Sequence, residues 1–258
     1  QLDYPRVLFP RSRIRARENS PRDLKSPMEE SNVYWAYDCD SHVEEGEFTF
    51  QDRYWDQRYR GRRPIVVEAD ARGNLCWMVD SHSFPRIIGP APATGGNPNS
   101  KGGVPSWRFV PRITSGASKG MEVTLEGVEL HSGASRIAMM DLGAIAVQVN
   151  FPTILLTWPF AHDPKIGCAI ARSYNNHMAD IASYAPDRLK WVTAIDPADV
   201  EESVREIRRC RELGSVGLML LGTYGDKHLD HPSFDPIWRT CAELDMPCLL
   251  YTSDAADE

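Results

Sequence analysis

Asp38-Cys-Asp-Ser-His-Val-Glu-Glu45 gathers four carboxylates, a thiol and an imidazole into eight residues. Asp40 and His42 stand two positions apart, so extended backbone turns both side chains to the same side. A carboxylate oxygen and an imidazole nitrogen converging at a strand end make half of a divalent-metal site. The same residues also suit a solvated turn in which Asp40 caps the segment that follows. His228 and His231 flank Asp230 and either face the same site or lead structurally into the next helix. His162 and His177 read as surface residues, the second on the polar face of a helix.

The elements that must position these groups recur as a strand, an Asp-Pro pair and a helix. Val33–Cys39 and Ala144–Phe151 are apolar, β-branched runs that read as strands. Asp163-Pro164 then opens a helix with Ile166, Ile170, Tyr174, Met178 and Ile181 on one face, because Asp accepts orphan backbone N–H groups and Pro suits the first helical position. Trp191–Ile195 is the next strand. Asp196-Pro197 is expected to cap a helix carrying Val200, Val204 and Ile207, with Gly214 just past its end. Val216–Leu221 follows, then Asp235-Pro236 with Ile237, Trp238, Cys241 and Leu244, and a fifth strand opens at Pro247. A helix at Arg136–Leu142 precedes the Ala144 strand. Such alternation means parallel βα units with both sheet faces covered. A doubly wound sheet and an incomplete (β/α)8 barrel both fit this order.

Residues 46–130 break the rhythm. Phe48, Phe50, Tyr54, Trp55 and Tyr59 fit a short aromatic helix or turn, and Ile65–Glu68 with Leu75–Val79 fit a β-hairpin. Residues 85–120 hold 7 Gly and 6 Pro, which makes them loop. In a barrel this insertion after strand 1 emerges on the catalytic face as a lid, or it is surface decoration. The net charge of −7 argues against nucleic acid as the main partner. No apolar run reaches the ~18 residues of a membrane span. No signal-peptide pattern opens the chain, and the six cysteines never form CxxC, so the expectation is a cytoplasmic protein with reduced thiols.

Tyr37-Asp-Cys-Asp-Ser-His-Val-Glu-Glu45 resembles the opening metal motif of the amidohydrolase-related proteins. These are the branch of the metal-dependent amidohydrolase superfamily that includes aminocarboxymuconate-semialdehyde decarboxylase and γ-resorcylate decarboxylase. The resemblance continues at Met140-Asp141, Val147–Pro152, Asn175-Asn176, Pro186–Leu189, Gly214–Gly217 and Leu229–Trp238, and covers roughly residues 33–247. It implies the N-terminal portion of a (β/α)8 TIM barrel of class α/β, truncated at about strand five. It also implies a divalent metal, Zn or Mn, with Asp40 and His42 as ligands and Asp38 and Glu45 as supporting or loop-fixing groups. The remaining groups of the family site, a His after strand five, a catalytic His after strand six and an Asp after strand eight, have no counterpart here. The resemblance implies a hydrolase or non-oxidative decarboxylase of a small, carboxylated, possibly aromatic substrate, and a homo-oligomeric parent. The competing reading is a non-catalytic half-barrel binding module.

Both ends read as foreign to that domain. Residues 248–258 match one reading frame of a transposase sequencing adapter, so the expectation is adapter read-through after Pro247. Residues 1–27 carry six Arg, one Lys and four Pro with little periodicity and read as a disordered or non-native upstream segment, with Met28 a natural start. The domain is then 28–247, and the chain as it stands is expected to be inactive.

Overall fold

The computed structural model describes residues 35–68, 75–80, 82–85, 125–156 and 159–251. The segments 1–27 and 252–258, Met28 and most of the Gly/Pro-rich loop lie outside the described residues. The elements run β1 (Ala36–Val43), β2 (Ile65–Glu68), β3 (Leu75–Val79), β4 (His82–Pro85), α1 (Leu125–Val128), α2 (Gly133–Leu142), β5 (Ile145–Pro152), α3 (Pro164–Ala182), β6 (Leu189–Thr193), α4 (Val200–Glu212), β7 (Gly217–Leu221), the two-residue strands β8 (Thr223–Tyr224) and β9 (Lys227–His228), α5 (Asp235–Glu243) and β10 (Cys248–Tyr251).

One parallel sheet carries the site, in the order β1-β5-β6-β7-β10. Each strand of this sheet lies beside the one before it in sequence, with no reversal. A doubly wound sheet must reverse its order at a switch point, so the order selects the barrel reading. Right-handed crossovers then place the helices on one face. The sheet is curled. Four strand spacings put the outer strands about 19 Å apart in a flat sheet, beyond the joint reach of two side chains. Yet His42 on β1 and Tyr251 on β10 are hydrogen-bonded at 3.0 Å.

The core follows the helical periodicity. Ile166, Ile170, Tyr174, Met178 and Ile181 of α3 are all buried, with Trp191 of β6 beside them. Ile207, Ile237 and Cys241 from α4 and α5 close over Leu218 and Leu220 of β7. Asp163 caps α3 by accepting the Lys165 N–H at 3.0 Å, and Gly214 takes φ +96° after α4, a conformation glycine adopts without strain. Two caps differ from the expectation. Asp199, not Asp196, caps α4 through Glu202 N–H. Asp196 accepts the Ala198 N–H, so its carboxylate closes the turn before the helix. Asp235 is the first residue of α5 rather than its cap, because a 3-10 turn over Pro232–Phe234, capped by His231, already leads in.

His177 is 1% exposed, against the surface position expected for it. The polar face of α3 is itself a docking surface. Ser173 donates to Thr49 O at 2.7 Å and Asn176 to Tyr54 O at 3.1 Å. His177 Nε2 donates to Leu130 O at 2.8 Å, and Tyr54 O–H donates to Asp180. Residues 47–62 form the expected aromatic turns, and β2-β3 is the expected antiparallel hairpin, extended by β4. Trp77 and Val79 of this small sheet pack with Phe50, Leu155 and Phe160, and Arg62 bridges Asp80 to the α3 cap Asp163. Leu155, Phe160 and Asp163 belong to the connection leaving the carboxyl end of β5. The described part of the insertion therefore packs at the end of the sheet where strand C-termini meet.

Candidate metal centre

β1 begins and ends later than the apolar run of the sequence, so Asp40 and His42 lie inside its last turns of pleat rather than beyond them. The register between β1 and β5 shifts within the motif. Asp38 pairs with Gln148 and Ser41 with Asn150, so three steps on β1 match two on β5. Without that extra residue, period-two alternation would put Asp38, Asp40 and His42 on one face. With it, Asp38 accepts from Gln148 Nε2 at 3.2 Å and from the Asp40 N–H at 3.2 Å, while Asp40 and His42 stay together.

The Asp40 Oδ1 to His42 Nε2 separation is 3.6 Å. That is long for a hydrogen bond and near the roughly 3.0–3.4 Å between neighbouring donors on one ion with bonds of about 2.1 Å. His42 Nδ1 lies 3.0 Å from Pro152 O. A carbonyl only accepts, so in the neutral ring Nδ1 carries the hydrogen and Nε2 the lone pair. This is the arrangement by which backbone carbonyls orient metal-binding imidazoles. Among the described residues no group of three or more His, Cys, Asp or Glu is arranged to hold a metal ion. The pair thus fits a divalent cation in spacing and tautomer and contributes two donors, where a catalytic zinc takes three protein ligands and an open position.

Two buried ionisable side chains brace the pair. Arg136 of α2 is 2% exposed and its Nη2 donates to His42 O at 2.8 Å. Burial pushes its pKa down to about 10, partly offset by the Asp38 carboxylate, so it is cationic at neutral pH. Glu45, 1% exposed, accepts the Thr153 and Ile154 N–H groups at 3.1 and 2.9 Å, tying the end of β1 to the turn after β5. Thr153 Oγ1 adds a 2.8 Å bond to Val43 O.

Burial raises the Glu45 pKa to about 8, and neighbouring Glu44 adds to the rise. Between about 4.5 and 8 the folded chain keeps a proton that the unfolded chain has released, so stability falls as pH rises through that window. His177 acts oppositely: burial lowers its pKa to about 4, and stability falls as pH drops from 6.5 to 4. The two slopes oppose each other up to about pH 6.5, and above it His177 no longer opposes Glu45. Thermal melts of wild type and Glu45→Gln from pH 6.5 to 8.5 should show a declining midpoint in the first and a flatter one in the second. Equal slopes would remove Glu45 as the cause.

His228 is exposed on β9. The His231 side chain caps the turn into α5, with its Nδ1 accepting the Ser233 N–H at 3.2 Å. Neither joins Asp40 and His42. Three participants escaped the sequence reading: Arg136 and Gln148, which carry no spacing signal, and Tyr251, which lies in the segment read as foreign.

A sequence profile described as Amidohydrolase matches residues 128–257, just over half of the chain. The chain belongs to the amidohydrolase family. Its curated relatives include a 2-amino-3-carboxymuconate-6-semialdehyde decarboxylase from Dictyostelium discoideum, 29% identical over 117 residues, which are 45% of this chain and 32% of the relative. A γ-resorcylate decarboxylase from Rhizobium radiobacter is 28% identical over 127 residues, 45% of this chain and 38% of the relative. The chain spans about a third of the length of these relatives. An amidohydrolase structure from Mycobacterium avium subsp. paratuberculosis K-10 superposes with a TM-score of 0.60 at 19% identity, covering 88% of this chain and 60% of that one. That likeness concerns the fold alone, and with the strand order it identifies part of a (β/α) barrel. The family match begins at residue 128, so the Asp40–His42 pair stands on its own geometry.

Proposed function

We propose that this chain is part of a metal-dependent carboxy-lyase acting on a small carboxylated aromatic or unsaturated acid. The observation that carries the reading is the convergence of Asp40 and His42 at the carboxyl end of β1, 3.6 Å apart, where barrel enzymes place their chemistry. Decarboxylation is favoured over hydrolysis because both curated relatives named above are decarboxylases.

Asp40 and His42 would hold the cation, Mn or Zn. Bound there, it would supply Lewis-acid polarisation of a substrate oxygen. The chain's own groups prepare the pair. Pro152 O fixes the His42 tautomer, Asp38 holds the Asp40 backbone, and Arg136 anchors the His42 carbonyl. A second reading, a non-catalytic half-barrel module, is favoured by the donor count of two among the described residues.

Reading the source DNA across the Pro247 codon and expressing the frame found there tests both. With Mn2+ present, the expected product is CO2 from carboxylated aromatics, and the 258-residue chain alone is expected to be inactive. Activity confined to amides and lactones would overturn the carboxy-lyase reading. A genomic stop at the end of the present sequence would favour the binding module.

A further inference from the structure

The aromatic turns after β1 bury Phe50, Tyr54 and Trp55, yet leave Phe48 43% and Ile65 52% exposed. These two side chains share one cavity of about 570 Å3, together with Pro64, Glu47, Arg60 and Arg63. Pockets of about 300–1,000 Å3 with an apolar lining and a few polar groups suit small molecules. Neither Asp40 nor His42 lines this one.

Its apolar wall is held from behind. Gly46 has no Cβ, and one built there would stand 2.8 Å from Glu129 Oε2, so glycine gives that buried carboxylate its room. Glu129 Oε2 lies 2.8 Å from His131 Nε2, and the imidazole stacks on the Phe48 ring at 3.7 Å and 28°. Charge of both signs borders the wall. Arg60 and Arg63 share one carboxylate, Asp52, which leaves one positive charge in excess, and Glu47 adds a negative one. Arg63 hydrogen-bonds Asp52. Arg60 stands 4.0 Å from it, beyond hydrogen-bond length, so its fork is open to a second carboxylate.

We infer that this cavity binds a small aromatic zwitterion of the free amino-acid class, with its carboxylate on Arg60 and Arg63, its ammonium toward Glu47 and its ring against Phe48 and Ile65. The inference stands whether or not Asp40 and His42 hold a cation.

Calorimetric titration of L-phenylalanine, 3-phenylpropionate and 2-phenylethylamine into the 258-residue chain at pH 7 tests it. L-Phenylalanine should bind, and each singly charged analogue should bind about 2- to 10-fold more weakly. Arg60→Gln should weaken phenylalanine by a similar factor and leave phenylethylamine unchanged. Glu47→Gln should weaken phenylalanine and leave phenylpropionate unchanged. Both side chains are exposed, so the fold should tolerate either change. A Cβ at Gly61 meets nothing within 4 Å, so Gly61→Leu should fill the cavity and remove binding of all three probes. No binding of phenylalanine to wild type overturns the inference. So does phenylalanine binding that survives all three substitutions, which would put the ligand elsewhere. Tighter binding of either singly charged analogue also overturns it, because the cavity would then select one charge and not the pair.

Discussion

Exchanging His42 for alanine should lower Mn2+ affinity by about 100-fold or more, and exchanging Asp40 for asparagine by about 10-fold or more. Changes to the groups that merely orient metal ligands already cost about 10- to 100-fold, so loss of a donor sets at least that scale. The two substitutions differ usefully in what else they disturb. The Asp40 side chain is 68% exposed, and an exposed substitution away from special features stays within about 0.5 kcal/mol of neutral. Asp40→Asn therefore reads cation binding with the fold intact. The His42 ring contacts Phe151 and Tyr251, so His42→Ala also opens a small gap between the two sheet edges. Electron paramagnetic resonance of free Mn2+ during titration measures both. An unchanged Kd in Asp40→Asn and His42→Ala would remove the metal centre from the proposal and leave only the fold.

The fold was legible where chemistry repeats along the chain. Ile166, Ile170, Tyr174, Met178 and Ile181 form a stripe that one helix must bury, and each is buried. Strand order was not legible, because apolar runs such as Val216–Leu221 suit either a barrel or a doubly wound sheet. Only the register against neighbouring strands distinguishes them. Spacing also made Asp40 and His42 visible, since alternation is a local property. It would have grouped Asp38 with them, whereas Asp38 accepts from Gln148 Nε2, a partner more than 100 positions away, where the register against β5 shifts between Asp38 and Ser41. His177 failed for a related reason. Helical periodicity finds the face toward the sheet, whereas the second covering of α3 comes from Thr49, Tyr54 and Leu130, which no window around His177 contains. Asp196 was a capping residue by type, and the chain uses Asp199 three positions on, which the same preference would have accepted equally.

Asn175 shows how one side chain of α3 fixes the strand beside the site, and its loss should be among the costliest single changes. It is fully buried, and so is its partner Ala194. Its Oδ1 accepts the Ala194 N–H at 2.9 Å while Nδ2 donates to Ala194 O at 2.9 Å. Nδ2 also donates to Glu206 Oε1 at 2.9 Å, joining α3, the end of β6 and α4 through a single amide. Glu206 is held ionised despite its burial, because Arg209, Asn175 and Arg172 outweigh desolvation. Asn175→Leu keeps the volume and removes the hydrogen bonds, so both polar groups of the Ala194 backbone become orphans with no water to replace the amide. Each such group costs about 1–3 kcal/mol, and the expected total is about 3–5 kcal/mol. For a domain of this size that corresponds to a fall in Tm of roughly 10 °C, at about 2–4 °C per kcal/mol. Glu206→Gln leaves the third bond in place, because its amide oxygen still accepts from Asn175, so the expected loss is smaller and comes from the weakened pairs with Arg172 and Arg209. Calorimetry on the two variants gives the comparison. An Asn175→Leu shift no larger than that of Glu206→Gln would mean that the end of β6 is held by strand pairing and core packing, with the Asn175 clamp on Ala194 contributing little.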